Sequence, residues 1–487
     1  MTLLASVLPA FVLFTFTLAA TAQSSNTTSC KPEVHPIPAE FKTRNTFAAK
    51  VRSPGSPWQD LQLWEVPLTE VNTSSGSSIY HYGSIGYFDF CTDVEVILTY
   101  NRSIDSVTIR PLSYNIQSAV NGNEITFMLS RPRNLVIEIN GDIWDVLHLL
   151  SNTPDPDAPT GNSSSVVYVG PGSHSFPGGS INITSGQTLY LAAGAVLTST
   201  INFYEANDVA VRGRGFLYQP PKGGILAENS SNILIDGVTI VTPGGYVVTL
   251  GQTENATIRN LHGFSSKGNG DGIDVFCSKN VLIESVFMRN SDDCIAIYAH
   301  RWNYWGDTRN VTVQDSSLWA DLAHPINIGT HGNTDSPEVI EDLIIRNIDV
   351  LDHREPQALY QGTIALNPGD NNLVQHVLVD DFRVENFREG QLVNMRVMYN
   401  EKYNTSPGRG IHNVTIRNMV YNGNHSNLNV LVGYDEERTI SFVQFINLTV
   451  NGEVIYDTMP KPKWYSTSDF VPMYANEHVK NLTFVLE

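Results

Sequence analysis

Basic residues are scarce in this chain. Thirty Lys and Arg stand against 49 Asp and Glu, a formal charge of −19, and no single run holds the acid excess. Such a surface repels phosphate backbones and anionic lipid, which argues against nucleic acid and a membrane surface as partners. Charged residues of either sign make up only 16%, and amphipathic helical periodicity is lacking, so disorder and coiled coil are excluded too. Beyond the first twenty residues no apolar run is long enough to span a bilayer. Cysteine is limited to four residues. Pairing Cys30 with Cys91 and Cys277 with Cys294 keeps each bridge local, although four cysteines allow three connectivities.

What the chain does have is apolar bulk and turn formers: 41% hydrophobic residues, 36 Gly and 25 Pro in 487 residues. That length buries a large core and suggests at least two domains. Leu3 to Ala20 is almost wholly apolar, and Ala20-Thr21-Ala22 has the small-x-small pattern of a cleavage site, so residues 1–22 are expected to be a secretory signal peptide. Thirteen Asn-x-Ser/Thr sequons point the same way, at Asn26, Asn72, Asn101, Asn162, Asn182, Asn229, Asn255, Asn310, Asn404, Asn413, Asn424, Asn447 and Asn481. The expectation is a secreted, extracellular glycoprotein whose cysteines can be oxidised.

From residue 23 to 151, short β-branched runs such as Val107-Thr108-Ile109, Ile125-Thr126-Phe127 and Leu135 to Ile139 read as a β-sandwich, with a hairpin signal at Asn121-Gly122-Asn123. Residues 152–165, rich in Pro, Asp, Ser and Asn, read as a linker. From 166 to 487 the sequence repeats: a polar residue is followed by apolar residues one, three, six and eight positions later. Copies start at Asp208, Asn232, Asn255, Asn280, Asn310, Asp342, His376, Asn413 and Phe442, at spacings of 24, 23, 25, 30, 32, 34, 37 and 29 residues. Strands of fixed length joined by loops of variable length fit a parallel β-helix. The predicted fold is therefore all-β, an N-terminal β-sandwich followed by a right-handed parallel β-helix. A second strand column supports it, through Tyr246 to Leu250, Gly272 to Phe276, Cys294 to Tyr298, Pro325 to Gly329, Thr363 to Asn367, Leu392 to Arg396 and Leu428 to Val432.

Stacking that column aligns chemistry. Asp271, the pair Asp292-Asp293, and His324 precede successive strands, so three carboxylates and an imidazole fall on neighbouring coils. Asp274, Asn327 and Arg396 occupy outward positions and serve either as a polar floor for substrate or as an ordinary solvated face. Tyr298, His300, Trp302, Tyr304 and Trp305 follow the third strand. Aromatics beside acids suit a sugar cleft, because pyranose faces stack on rings while carboxyls break the bond. Hydrolysis needs one protonated and one ionised carboxyl, and crowding three acids raises at least one pKa. The implied partner is a poly- or oligosaccharide, with no cofactor. Ca²⁺ wants six to eight oxygen ligands, more than three Asp and Asn327 supply, so no metal is expected.

Asn269-Gly270-Asp271, then Asp292-Asp293-Cys294, then Ala323-His324-Pro325 resembles the Asn-Thr-Asp, Asp-Asp and Gly-His-Gly signatures of the polygalacturonases, glycoside hydrolase family 28. That resemblance implies Asp292 as general acid, Asp271 and Asp293 as holders and activators of water, His324 as a residue tuning the acid, and inversion at the anomeric carbon. The family's Arg-Ile-Lys motif falls at Thr363-Ile364-Ala365, where both cations are missing. Val107 to Pro111 and Arg131-Pro132-Arg133 ahead of a β-helix are similar to the dextranase and isopullulanase group, family 49, although Ala296 stands where that group carries a Lys. Loss of a uronate-gripping cation pair makes a neutral α-glucan the expected substrate, with pectic galacturonan as the alternative and a non-catalytic glycan-binding protein as the bland reading. Trp302, Tyr304 and Trp305 would then only pack their loop against the coils.

Overall fold

The structure is a computed structural model; it describes residues 30–38, 41–72, 74–424 and 426–487. The leader expected at 1–22 and the sequon at Asn26 lie outside the described residues. Residues 31–487 form one compact unit. Its first part has two facing sheets. One contains Leu63–Val71, Ser78–Asp89, Asp142–Asn152, Leu135–Ile139 and Val107–Arg110, and the other Phe47–Arg52, Val94–Tyr100 and Glu124–Leu129. Alternate burial along Val94–Tyr100 and Glu124–Leu129 shows why: every second side chain enters a core built on Phe88, Phe90, Val96, Leu98 and Ile137. The Asn121-Gly122-Asn123 hairpin joins Ala119–Asn121 to Glu124–Leu129, with Gly122 at φ 63° supplying the left-handed turn.

The second part is a parallel β-helix with a 20-stranded and an 11-stranded sheet. In the latter, Ile273, Ile295, Ile326, Ile364 and Val393 stack in register and point into the core. All nine residues that open the sequence repeat, Asp208 to Phe442, have φ between 53° and 58°. They are the left-handed corner of each coil, which explains the Asn and Asp found there. The corners hydrogen-bond along the helix: Asn255 Nδ2 donates to Asn232 Oδ1 at 3.2 Å, Asn280 to Asn255 at 3.1 Å and Asn310 to Asn280 at 2.8 Å.

A third core joins the two parts. Val196, Phe216, Val241, Phe264, Phe287, Trp319 and Leu351, one from each successive coil, cluster with sandwich residues such as Trp64, Val66 and Ile85. Within it Arg289 and Asp321 form a fully buried ion pair at 3.1 Å, and Arg289 reaches His148 of the sandwich at 3.2 Å.

Two expectations are corrected. Cys30 and Cys91 are disulfide-bonded as paired, but Cys277 and Cys294 are free and buried. Cys277 follows Phe276 at the end of one strand while Cys294 precedes Ile295 at the start of the next, and these strands pair parallel and in register. Five residues of strand separate them, roughly 16 Å, far beyond the reach of a disulfide. The Asn404 sequon is also displaced: its side chain is buried and donates Nδ2 to the Thr330 carbonyl and to Asp370, which leaves no room for a glycan.

Candidate active site

Parallel register brings the acids together. Gly272 N donates to the Asp293 carbonyl at 2.8 Å and Cys294 N to the His324 carbonyl at 2.8 Å, so Asp271, Asp293 and His324 start three successive strands. Neighbouring strands lie about 4.8 Å apart, which fixes the spacing of their backbones.

Asp293 is the most constrained of these groups. Its Oδ1 accepts from His324 Nδ1 at 2.6 Å and from the His324 amide at 3.0 Å; its Oδ2 accepts from Asn327 Nδ2 at 2.9 Å and Tyr298 Oη at 3.3 Å. Burial opposes its charge, but the His324 charge and the hydrogen bonds from His324 and Asn327 hold it below the usual carboxylate range. His324 Nε2 faces the Tyr360 carbonyl, so both ring nitrogens meet acceptors and both need protons. Burial alone would lower the His324 pKa, yet Asp293 lifts it to about 9. His324 is therefore an imidazolium paired with a carboxylate anion.

Asp292 differs from its neighbour. Burial and then the Asp293 charge push it up to about 7. Burial, with Asp274, Asp292 and Asp293 close by, also drives Asp271 well up, and Asp274 behaves alike. Asp274 is completely buried and neither of its oxygens has a hydrogen-bond partner among the described residues. Asp293 is thus driven toward its anion while Asp271, Asp274 and Asp292 are driven toward their protonated forms. Two carboxyls adjacent in sequence have been driven apart in pKa, the arrangement an acid and a base require.

The remaining expected residues divide. Tyr298 and Asn327 touch Asp293 directly. Trp302 is 51% exposed, stacks on Tyr246 at 5.9 Å and meets the edge of Phe276. Trp305 is equally exposed and stacks on His300 at 3.7 Å. His300 Nδ1 bonds the Tyr304 carbonyl at 2.5 Å, so its ring shapes the loop rather than joining the acids. Tyr304 packs over Gly251, where a Cβ would collide with its ring, and donates to Glu228; for this ring the packing role is the observed one. Arg396 is half-buried beside Tyr360. Extending the register from Tyr298 through Gly329 and Asn367 puts it three strands away, about 14 Å along the sheet, outside the acid cluster.

Arg301 was not among the expected residues. Its charge partly offsets the rise in pKa that burial imposes on Asp271, Asp274, Tyr298 and Tyr246, and its guanidinium lies 4.9 Å over the Trp302 ring. Glu355, buried and facing His324, is the second addition. Arg301 lies between two residues singled out for their rings, and only the loop's path over the acids reveals it. Glu355 had no sequence signal.

Comparison with known proteins agrees with this geometry. The profile of Glycosyl hydrolases family 28 matches residues 217–452, which contain Asp271, Asp274, Asp292, Asp293 and Glu355. A probable endo-xylogalacturonan hydrolase A of Aspergillus fumigatus is 27% identical over 165 residues, 32% of this chain and 37% of that protein. Exopolygalacturonase X of Aspergillus niger is 27% identical over 25% of this chain and 22% of its own length. The chain therefore spans about a third or less of these relatives. Among solved structures, Dex49A from Penicillium minioluteum superposes with a TM-score of 0.62 at 13% identity over 93% of this chain and 96% of its own. The Yersinia enterocolitica family 28 exopolygalacturonase gives 0.51 at 12% identity, covering 80% and 96%. The stretch that carries the acid-bearing strands is thus similar to glycoside hydrolase family 28, and the coil architecture is that of a parallel β-helix similar in fold to Dex49A.

Proposed function

We propose that the protein is a secreted inverting glycoside hydrolase acting on a pectic, galacturonan-type polysaccharide. The observation that carries the reading is the split between Asp292, at about 7, and Asp293, held as an anion by His324. Asp292 donates its proton to the glycosidic oxygen as the bond to the anomeric carbon breaks. A water on the opposite face loses its proton to Asp293, with Asp271 sharing that water, and attacks the same carbon. The configuration inverts and no covalent enzyme intermediate forms.

Arg301 favours the uronate. It places a cation over the acids where Thr363 and Ala365 supply none, and an Arg is suited to a sugar carboxylate. The sequence similarity to galacturonan hydrolases supports the same class. An α-glucan, expected from the two missing cations, is less well supported, because the likeness to Dex49A is one of fold. Incubation with polygalacturonate, dextran, pullulan and an α-1,3-glucan, followed by assay of new reducing ends, tests the choice. Release from polygalacturonate is expected; release from a glucan alone would reject it.

A further inference from the structure

A hairpin of the sandwich lies alongside the loop that leads to Asp271. Leu63–Val71 pairs antiparallel with Ser78–Asp89, with Thr69 opposite Tyr80 and Pro67 opposite Tyr82, so these four side chains share a face. That face meets the loop leading to Asp271. Thr69 Oγ1 donates to the Ser266 carbonyl, and the next carbonyl, Lys267, accepts from Ser291 Oγ beside Asp292. Two residues further along the strand the Val71 carbonyl accepts from Arg354 at 2.9 Å, one residue from Glu355. The turn end of the hairpin is thus held alongside the coils that carry the acids.

Between it and the helix lies a cavity of about 690 Å³, lined by Tyr80, Tyr82, Tyr218, Lys42 and Lys267 among others. Tyr80 is 53% and Tyr82 40% exposed. Lys267 is exposed and forms no ion pair among the described residues, whereas Lys42 is shared with Glu65 at 3.9 Å. Two rings at i and i+2 of one strand stand about 6.8 Å apart, so each can meet its own sugar. Phenol faces stack on pyranose rings, and the ammonium offers a counter-charge to a carboxylate. Half-exposed tyrosines beside a free cation in a chain of net charge −19 form a local exception to the repulsive surface.

We propose that this cavity is a polysaccharide subsite: the Tyr80 and Tyr82 edge, with Lys267, holds uronate residues of a glycan chain that continues past the acids. The sandwich then binds substrate in addition to covering the coil face. The choice of a uronate over a neutral sugar rests on the function proposed above.

The test uses the full-length Asp292→Asn protein, run by affinity electrophoresis through gels containing polygalacturonate or dextran, with and without Tyr80→Ala/Tyr82→Ala. Both tyrosines are half-exposed, so the double variant keeps its fold, which its melting temperature verifies. Loss of two stacking rings weakens apparent affinity for polygalacturonate about tenfold or more. Lys267→Met in place of the tyrosine pair lowers it in polygalacturonate and leaves migration in dextran unchanged. Unaltered retardation in the double variant overturns the subsite, and so does a parent protein that polygalacturonate fails to retard. Reducing-end release by the wild type is scored separately. Tyrosine-dependent retardation without release would uphold the subsite while rejecting the hydrolase reading.

Discussion

Replacing His324 by Gln removes the cation that keeps Asp293 ionised while retaining a donor of similar size. The His324 pKa rises from its ordinary 6.5 to about 9, and that difference corresponds to about 3 kcal/mol between the imidazolium and its surroundings. Asp293 at 2.6 Å is its ion-pair partner and feels the reciprocal effect. Without His324, only the Asn327 hydrogen bond still opposes burial, and the Asp293 pKa climbs. Since this carboxylate is the proposed base, the acid limb of the pH–rate profile on polygalacturonate should move to higher pH. The stability effect has a definite sign. A folded pKa above the unfolded one stabilises fully below pH 6.5 and is lost as pH rises through about 9. The variant should melt several degrees below the wild type at pH 6, and the gap should close by pH 9.5. An acid limb that stays where it was, or a melting gap independent of pH, would refute the pairing as the source of the Asp293 charge.

Three further outcomes follow from the same geometry. Wild-type activity should fall as pH rises through about 7, where Asp292 loses its proton, and a profile still flat at pH 8.5 would remove Asp292 as the acid. Arg301→Ala should raise KM for polygalacturonate about tenfold or more through loss of the carboxylate contact, with little change in melting temperature; an unchanged KM would assign Arg301 only to neutralising the acids. Thiol titration should find two reactive cysteines after denaturation and almost none before it, because Cys277 and Cys294 are free but buried; zero after denaturation would restore the bridge between them.

The coil architecture was legible because a β-helix writes its corners into the sequence. The residue opening each repeat is the left-handed one, and the isoleucines of the second column recur at fixed distance from the acids. The same corners colour the reading of glycosylation. Asn229, Asn255, Asn310, Asn413, Asn447 and Asn481 all have positive φ, so part of the sequon count reflects coil geometry, and the ladder donors Asn255 and Asn310 already use an amide hydrogen. Asp271, Asp292, Asp293 and His324 were readable from their motifs, but which acid keeps its proton follows from burial and from the two acceptors facing His324. Register decided the failures. Cys277 and Cys294 are close in sequence and at opposite strand ends, Arg396 lies on the right column several strands away, and Arg301 reaches the acids only because its loop folds back over Phe276 and Trp302.

The central claim is that the Asp292 carboxyl protonates the leaving glycosidic oxygen. Its most direct test compares wild type and Asp292→Asn for reducing ends released from polygalacturonate at pH 5, with melting temperatures recorded alongside. The account predicts a loss of roughly a thousandfold in turnover, within the range general acid catalysis supplies, at nearly unchanged stability. Comparable release by the two proteins would contradict it.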